Sequence, residues 1–216
     1  LVSLPYAKGT SRGLLDGMPA QRDFSDFGDL SVTLNVNLRG APSMNTEQFL
    51  AFRANPRPLI GASIKLIAPT GSYHPDRLVN VGSNRWTTRF KLGGVMLLKP
   101  KLLLELSASA WFFSDNEEFV TGRKEQDPIY AAEASLIKRI RPGLWDSLDF
   151  TYYNGGRQTL DGSPLKNSLS NAKLGGTFVV PIRRRHAIKL GYANGVITKY
   201  GEDFDQFLVS YSVILK

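Results

Sequence analysis

The side chains able to do chemistry in this sequence are mostly cations, and they fall at alternate positions within short segments. Arg39, Lys65, Arg85, Arg89, Lys91, Arg139, Lys173 and Lys189 share one polar face with Glu105, Glu133 and Asp149. Eight basic groups against three acidic ones would line a water-filled passage with a surplus of five positive charges, and such rings bias a pore towards anions. The contrary expectation is that these groups pair with one another and stiffen the wall, since charges withdrawn from bulk water must be paired or hydrated. Arg85, Arg89 and Lys91 recur on one face of one segment and are the first choices for orienting a carboxylate or phenolate, because the arginine fork binds such groups bidentately. Small residues on the same face (Gly61, Ser63, Gly93, Ser107, Ser109, Gly175 and Gly191) leave room for a solute or an inserted segment. Catalysis finds little material. The chain has two histidines, His74 and His186, and no cysteine, and it carries no GxSxG elbow, P-loop, dinucleotide fingerprint or metal-spaced histidine cluster. The reading is no catalytic residue, no metal and no cofactor.

The elements that must position these groups are strands. In Ser31–Arg39, Val32, Leu34, Val36 and Leu38 alternate with Ser31, Thr33, Asn35, Asn37 and Arg39, a period of two that gives one oily and one wet face. The pattern returns at hairpin spacing, predicting ten strands at about 1–8, 28–39, 59–72, 85–98, 102–114, 128–141, 146–155, 171–182, 186–199 and 205–216. The connections at 99–101, 142–145 and 183–185 are short; those at 9–27, 73–84, 115–127 and 156–170 are long. Short and long ends alternate in outer-membrane barrels, whose periplasmic turns are short and external loops longer. Residues 41–58 break the rule: they fall on the short-turn, periplasmic side yet are long, and Asn45–Phe52 resembles a short helix capped by Asn45 or Thr46. It would lie across the rim or partly plug the lumen.

Pattern alone does not say whether the oily face points in, as in a soluble barrel, or out, as in a membrane barrel. Strands of 12–14 residues suit a tilted membrane span with protruding ends. Trp86, Phe112, Phe113, Trp145, Tyr152, Tyr153, Tyr192, Tyr200, Phe207 and Tyr211 gather near strand ends, as interfacial girdles do. The expectation is therefore an all-β, antiparallel transmembrane barrel over 1–216, lipid outside and the charged face within. A net charge of +8 over 216 residues would permit a nucleic-acid partner, but the longest basic run, Arg183-Arg184-Arg185, sits in a tight turn without interleaved aromatics, so none is expected. Acidic residues mark the long loops: Asp115, Glu117, Glu118, Glu125, Asp127, Asp161, Glu202, Asp203 and Asp205. They could gather divalent cations near lipopolysaccharide, although no spacing defines a calcium loop.

Short motifs then carry a resemblance. Gly28-Asp29-Leu30, Ala68-Pro69-Thr70-Gly71-Ser72-Tyr73, Asn80-Val81-Gly82-Ser83-Asn84-Arg85-Trp86, Gln126-Asp127-Pro128, Tyr152-Tyr153-Asn154-Gly155-Gly156, Asp161-Gly162 and Gly201-Glu202-Asp203-Phe204-Asp205 occur in this order. Together they resemble the outer-membrane family named for the meta-pathway of phenol degradation. The resemblance implies a small β-barrel of the bacterial outer membrane involved in uptake of hydrophobic aromatic compounds, with a signal peptide and further strand-forming chain upstream. Ten strands are an even number and could close by themselves, but Leu1–Lys8 is short for a closing edge, and the resemblance implies twelve in the complete protein. The chain departs from outer-membrane barrels at Ile214-Leu215-Lys216, where the terminal aromatic common to them is missing.

The function these observations imply is passive uptake of small, aromatic or anionic solutes, with membrane lipid and lipopolysaccharide outside the barrel and a small hydrophobic or anionic solute within. The alternative is a plugged barrel serving as a structural or interaction scaffold.

Overall fold

A computed structural model of the chain describes residues 1–15, 18–40, 44–45, 47–48, 51–52, 57–77, 79–120, 122–183, 185–200 and 205–213. Its strands are β1 (Val2–Ser3), β2 (Tyr6–Leu15), β3 (Met18–Phe27), β4 (Ser31–Arg39), β5 (Leu59–Ile67), β6 (Thr87–Lys99), β7 (Leu102–Phe113), β8 (Asn116–Phe119), β9 (Gly122–Gln126), β10 (Ile129–Arg141), β11 (Leu144–Gly155), β12 (Gln158–Leu160), β13 (Ser163–Pro164), β14 (Leu169–Arg183), β15 (His186–Ile197) and β16 (Asp205–Val213). Ten of them form one antiparallel sheet in the order β1-β4-β5-β6-β7-β10-β11-β14-β15-β16. Nine of the ten strands expected from alternation have their counterparts in that sheet, and the first is met there only by the short β1. The short turns close at Pro100-Lys101 and Pro142-Gly143, where Lys101 and Gly143 take positive φ (68° and 80°), the conformation a tight reversal demands.

The sheet turns its oily face outward. Leu34, Phe90, Leu92, Leu148, Phe207 and Val209 are all exposed, Phe207 to 78 % and Leu148 to 56 %, and no large side chain among the described residues is fully buried. A water-soluble barrel would reverse this. Most of the charged and small residues occupy the opposite parity, together with larger side chains such as Trp111, Phe113 and Tyr153.

Among the described residues the sheet is open: β16 pairs only with β15, and the outer edge of β4 carries only β1 and Leu1 before it. The expected first strand, 1–8, is thus corrected. Pairing stops at Ser3; beyond it Pro5, which lacks an N–H, accepts from Gly28 N at 2.8 Å, and the chain leaves the sheet. It continues as the β2–β3 hairpin, within what reads in sequence as a loop at 9–27. Its Thr10–Asp23 and Arg12–Gln21 side-chain bonds tie directly opposed residues, and it has no oily face for a period of two to reveal. The sequence does carry Asp16-Gly17 between the two strands, a dipeptide favoured at hairpin turns.

The long loops 115–127 and 156–170 are also ordered more than expected. They pair with each other as a second sheet, β13-β12-β9-β8. Asp161 and Gly162 (φ 45° and 76°) make the β12–β13 reversal, both in the left-handed region that a type I′ turn needs. Of 41–58, Glu47, Gln48, Ala51 and Phe52 are helical, and Asn45 and Gln48 cap each other reciprocally, Gln48 N donating to Asn45 Oδ1 (2.9 Å) and Asn45 N to Gln48 Oε1 (3.0 Å). Thr46, Arg184, the Gly201–Phe204 part of the last motif and Ile214–Lys216 lie outside the described residues.

Candidate functional site

The cross-strand register lays the inward side chains in rows. One runs Lys65–Arg89–Trp111, the next Ser63–Lys91–Ser109–Ala131–Tyr153, and the next Gly61–Gly93–Ser107–Glu133–Thr151–Lys173. Glu133 ends between two cations. Arg89 Nη2 and Lys91 Nζ each reach one of its carboxylate oxygens at 2.5 Å, and Ser107 Oγ approaches at 3.4 Å. Arg89 also donates to Ser109 Oγ (3.2 Å) and lies over the Trp111 ring, 4.7 Å from its centroid. Here the pairing expectation describes the wall, and strands β6, β7 and β10 are braced across the lumen face. Lys65, opposite Arg89, adds a third cation to the patch.

Beyond the brace, Asp149 accepts from Ser147 and Thr177, both at 2.9 Å. Lys173 Nζ lies over the Tyr153 ring at 5.3 Å, and Gly175, Gly176 and Gly191 leave a concavity of about 200 Å³ between Asp149, Tyr153 and Lys173. Glu105 follows Ser107 on the inward parity, opposite Val95 and Ser135. Arg139 and Lys189 belong to a row near the short-turn end with Trp145 and Val179. Arg39 is the exception. A bulge after Asn37 brings it opposite Ile60, an outward residue, and Arg39 is exposed, so it leaves the lumen row. Phe113, Trp145 and Tyr153, expected in the aromatic girdle, share the inward parity instead, whereas Trp86, Phe112, Tyr192, Phe207 and Tyr211 are exposed on the outside.

At the long-loop end the motifs that are scattered in sequence meet. Asp29 Oδ1 accepts from Gly71 N (2.8 Å), and Oδ2 accepts from Ser83 N (2.8 Å) and Ser83 Oγ (2.6 Å). Thr70 Oγ1 accepts from Leu30 N at 2.9 Å, and Gly82 N donates to Ser72 O at 2.9 Å. The backbones touch: a Cβ on Gly71 would stand 2.6 Å from Gly28 C, and one on Gly82 2.7 Å from Gly71 C. Only glycine permits that approach. Asn80 closes the same loop, bonding both ways with His74, and donating to Arg77 O. His74 therefore serves the loop through its backbone, while His186 Nδ1 sits 2.5 Å from Tyr211 Oη on the outer face.

This knot holds Arg85 in place ahead of β6. The guanidinium lies over Phe113 (4.3 Å to the centroid) and donates to the neutral Gln126 Oε1 at 2.6 Å; its Nη1 is shielded from water without a hydrogen-bond partner among the described residues. Burial depresses the Arg85 pKa, against the pull of Asp115. Burial and the repulsion of Arg85 likewise depress Lys124, whose Nζ stands 4.4 Å over Phe119. Both border a cavity of about 210 Å³ whose walls include Tyr73, Val81, Asn116 and Phe119. Asn116, 2 % exposed, fixes the floor by donating to Tyr73 Oη (2.8 Å) and accepting from Glu118 N (3.0 Å). The loop carboxylates are engaged elsewhere. Arg123 bonds Asp115 and faces Glu117 (3.5 Å) and Glu125 (3.2 Å); the bond and charge of Asp115, then the other acids, raise its pKa.

Alternation points to Arg85, Arg89 and Lys91, but not to Lys124, Gln126 or Asn116. Those arrive through β8 and β9, short strands with no oily face. The Gln126-Asp127-Pro128 motif was the signal in the sequence, since Gln126 links Arg85 to Gly156 O (3.2 Å).

An antiparallel sheet with its apolar side out, its charged and glycine-rich side in, and an ordered tier of loops at one end is the wall of an outer-membrane β-barrel. The chain belongs to the family described as "Putative MetA-pathway of phenol degradation", whose model matches residues 3–197. Its fold is similar to that in the crystal structure of an outer membrane channel from Pseudomonas putida F1, at 22 % identity and a TM-score of 0.78, covering 97 % of this chain and 73 % of that one. No curated protein matches it. Fold and family together place it in the bacterial outer membrane.

Proposed function

We propose that the protein is a passive channel for small aromatic or anionic solutes, with lipid and lipopolysaccharide against its outer face. The observation that carries this reading is the inward face, where glycines open a concavity beside Tyr153 and Lys173. The Pseudomonas putida neighbour is itself an outer membrane channel, which supports passage rather than chemical conversion of a solute. With Arg39 outside the lumen row, seven of the eight basic groups remain against three acidic ones, a surplus of four rather than five, and Glu133 holds two of the seven in ion pairs. A weak anion preference follows. The test is the reversal potential of the full-length protein in a planar bilayer across a KCl gradient. A stable conductance mildly selective for chloride is expected. Cation selectivity contradicts the lumen reading, and correctly folded protein without conductance moves the scaffold reading into first place.

A further inference from the structure

We infer that the cavity between Arg85, Lys124 and Phe119 at the long-loop end binds a small aromatic carboxylate before it enters the lumen. Two cations share this cavity, and no carboxylate lines it among the described residues. Elsewhere the molecule treats its charges differently: Arg89 and Lys91 have Glu133, and Arg123 has three acids. Asp115, the acid near enough to act on Arg85, is bonded to Arg123. Two neighbouring cations drawn out of water with no carboxylate bonded to either among the described residues are unfavourable, and a buried guanidinium N–H without an acceptor adds to this. An anion from solution relieves both. A carboxylate suits the planar guanidinium fork on one side and the ammonium on the other.

The remaining walls define the body of the ligand. Tyr73, Val81 and Phe119 present an aromatic and apolar surface. The volume of about 210 Å³ falls below the roughly 300–1,000 Å³ of sites for drug-sized ligands, so it suits a single ring. The site is also pre-formed. The Asp29 knot fixes Ser83 beside Arg85, and buried Asn116 holds Tyr73, so little ordering accompanies binding. The assignment rests on the channel reading for its role in uptake, but the binding itself does not.

The experiment is calorimetric titration of the full-length protein in detergent with benzoate, and with benzamide and acetate as controls. Benzoate is expected to bind at least about tenfold more tightly than either control, because one lacks the charge and the other the ring. Lys124→Gln is expected to weaken benzoate about tenfold or more and Lys124→Arg to restore it; Arg85→Gln should do the same damage, and far-UV circular dichroism checks that it folds. Benzamide binding as tightly as benzoate, or Lys124→Gln leaving the affinity unchanged, overturns the assignment. Acetate matching benzoate overturns the aromatic part. Binding without bilayer conductance refutes the channel and leaves the site standing; conductance without benzoate binding does the reverse.

Discussion

The brace around Glu133 and the cavity around Arg85 use the same side chains to opposite ends. Each gathers two cations, Arg89 and Lys91 on β6 in one, Arg85 ahead of β6 and Lys124 on β9 in the other, and in both an arginine lies over an aromatic ring, Trp111 in one and Phe113 in the other. In the brace a glutamate from β10 reaches both cations, so three strands are tied together. At the cavity the acids that could play that part are gathered around Arg123, and the arginine is left with a neutral amide. Cationic residues at lumen positions are thus not equivalent. What distinguishes them is where the carboxylates go.

Four substitutions break or sharpen this contrast, in descending order of effect. Gly71→Val forces a side chain into the backbones of Gly28 and Asp29, with no flexible neighbour to yield, and should cost about 3 kcal/mol or more. It should appear as loss of the heat-modifiable folded band on electrophoresis and of benzoate binding together. Glu133→Ala leaves Arg89 and Lys91 facing each other; because these side chains are about a quarter exposed to lumen water, a loss of about 2 kcal/mol in urea unfolding is expected, below the range for fully buried pairs. The same variant should move the reversal potential towards chloride. Asp29→Ala strips acceptors from Gly71 N, Ser83 N and Ser83 Oγ, at about 1–3 kcal/mol. Hydrogen exchange at the Gly71 and Ser83 amides should quicken, while the amides of β10 keep their protection. Arg123→Ala, in the exposed acid cluster, should leave the unfolding midpoint where it is. It frees Asp115 to approach Arg85, so any effect should fall on benzoate affinity alone.

The wall of the barrel was legible because every wall strand has one oily face. Val32, Leu34, Val36 and Leu38 announce β4, and the short turns follow from Pro100, Pro142 and the lengths between strands. The inward parity of Arg89, Lys91 and Glu133 was legible too, but not their union. Glu133 lies more than forty residues along the chain from either partner, and only the β6–β7–β10 register brings the three together. The bulge after Asn37 was invisible, and with it the displacement of Arg39. The outer tier was the least legible. Strands β2, β3, β8, β9 and β12 rest on side-chain bonds and loop-to-loop pairing rather than on an oily face, so alternation gave no pointer to Lys124. The glycine and aspartate motifs were visible as words; the contact among Gly28, Gly71 and Gly82 is what they spell.

The most direct test sets Arg89→Gln against Lys124→Gln in one benzoate titration of the full-length protein. If anion recognition lies in the outer cavity and the inner cations are a brace, Lys124→Gln loses about tenfold in affinity and Arg89→Gln stays within about twofold. The opposite order would contradict the account, placing recognition in the lumen and leaving the outer cavity as packing.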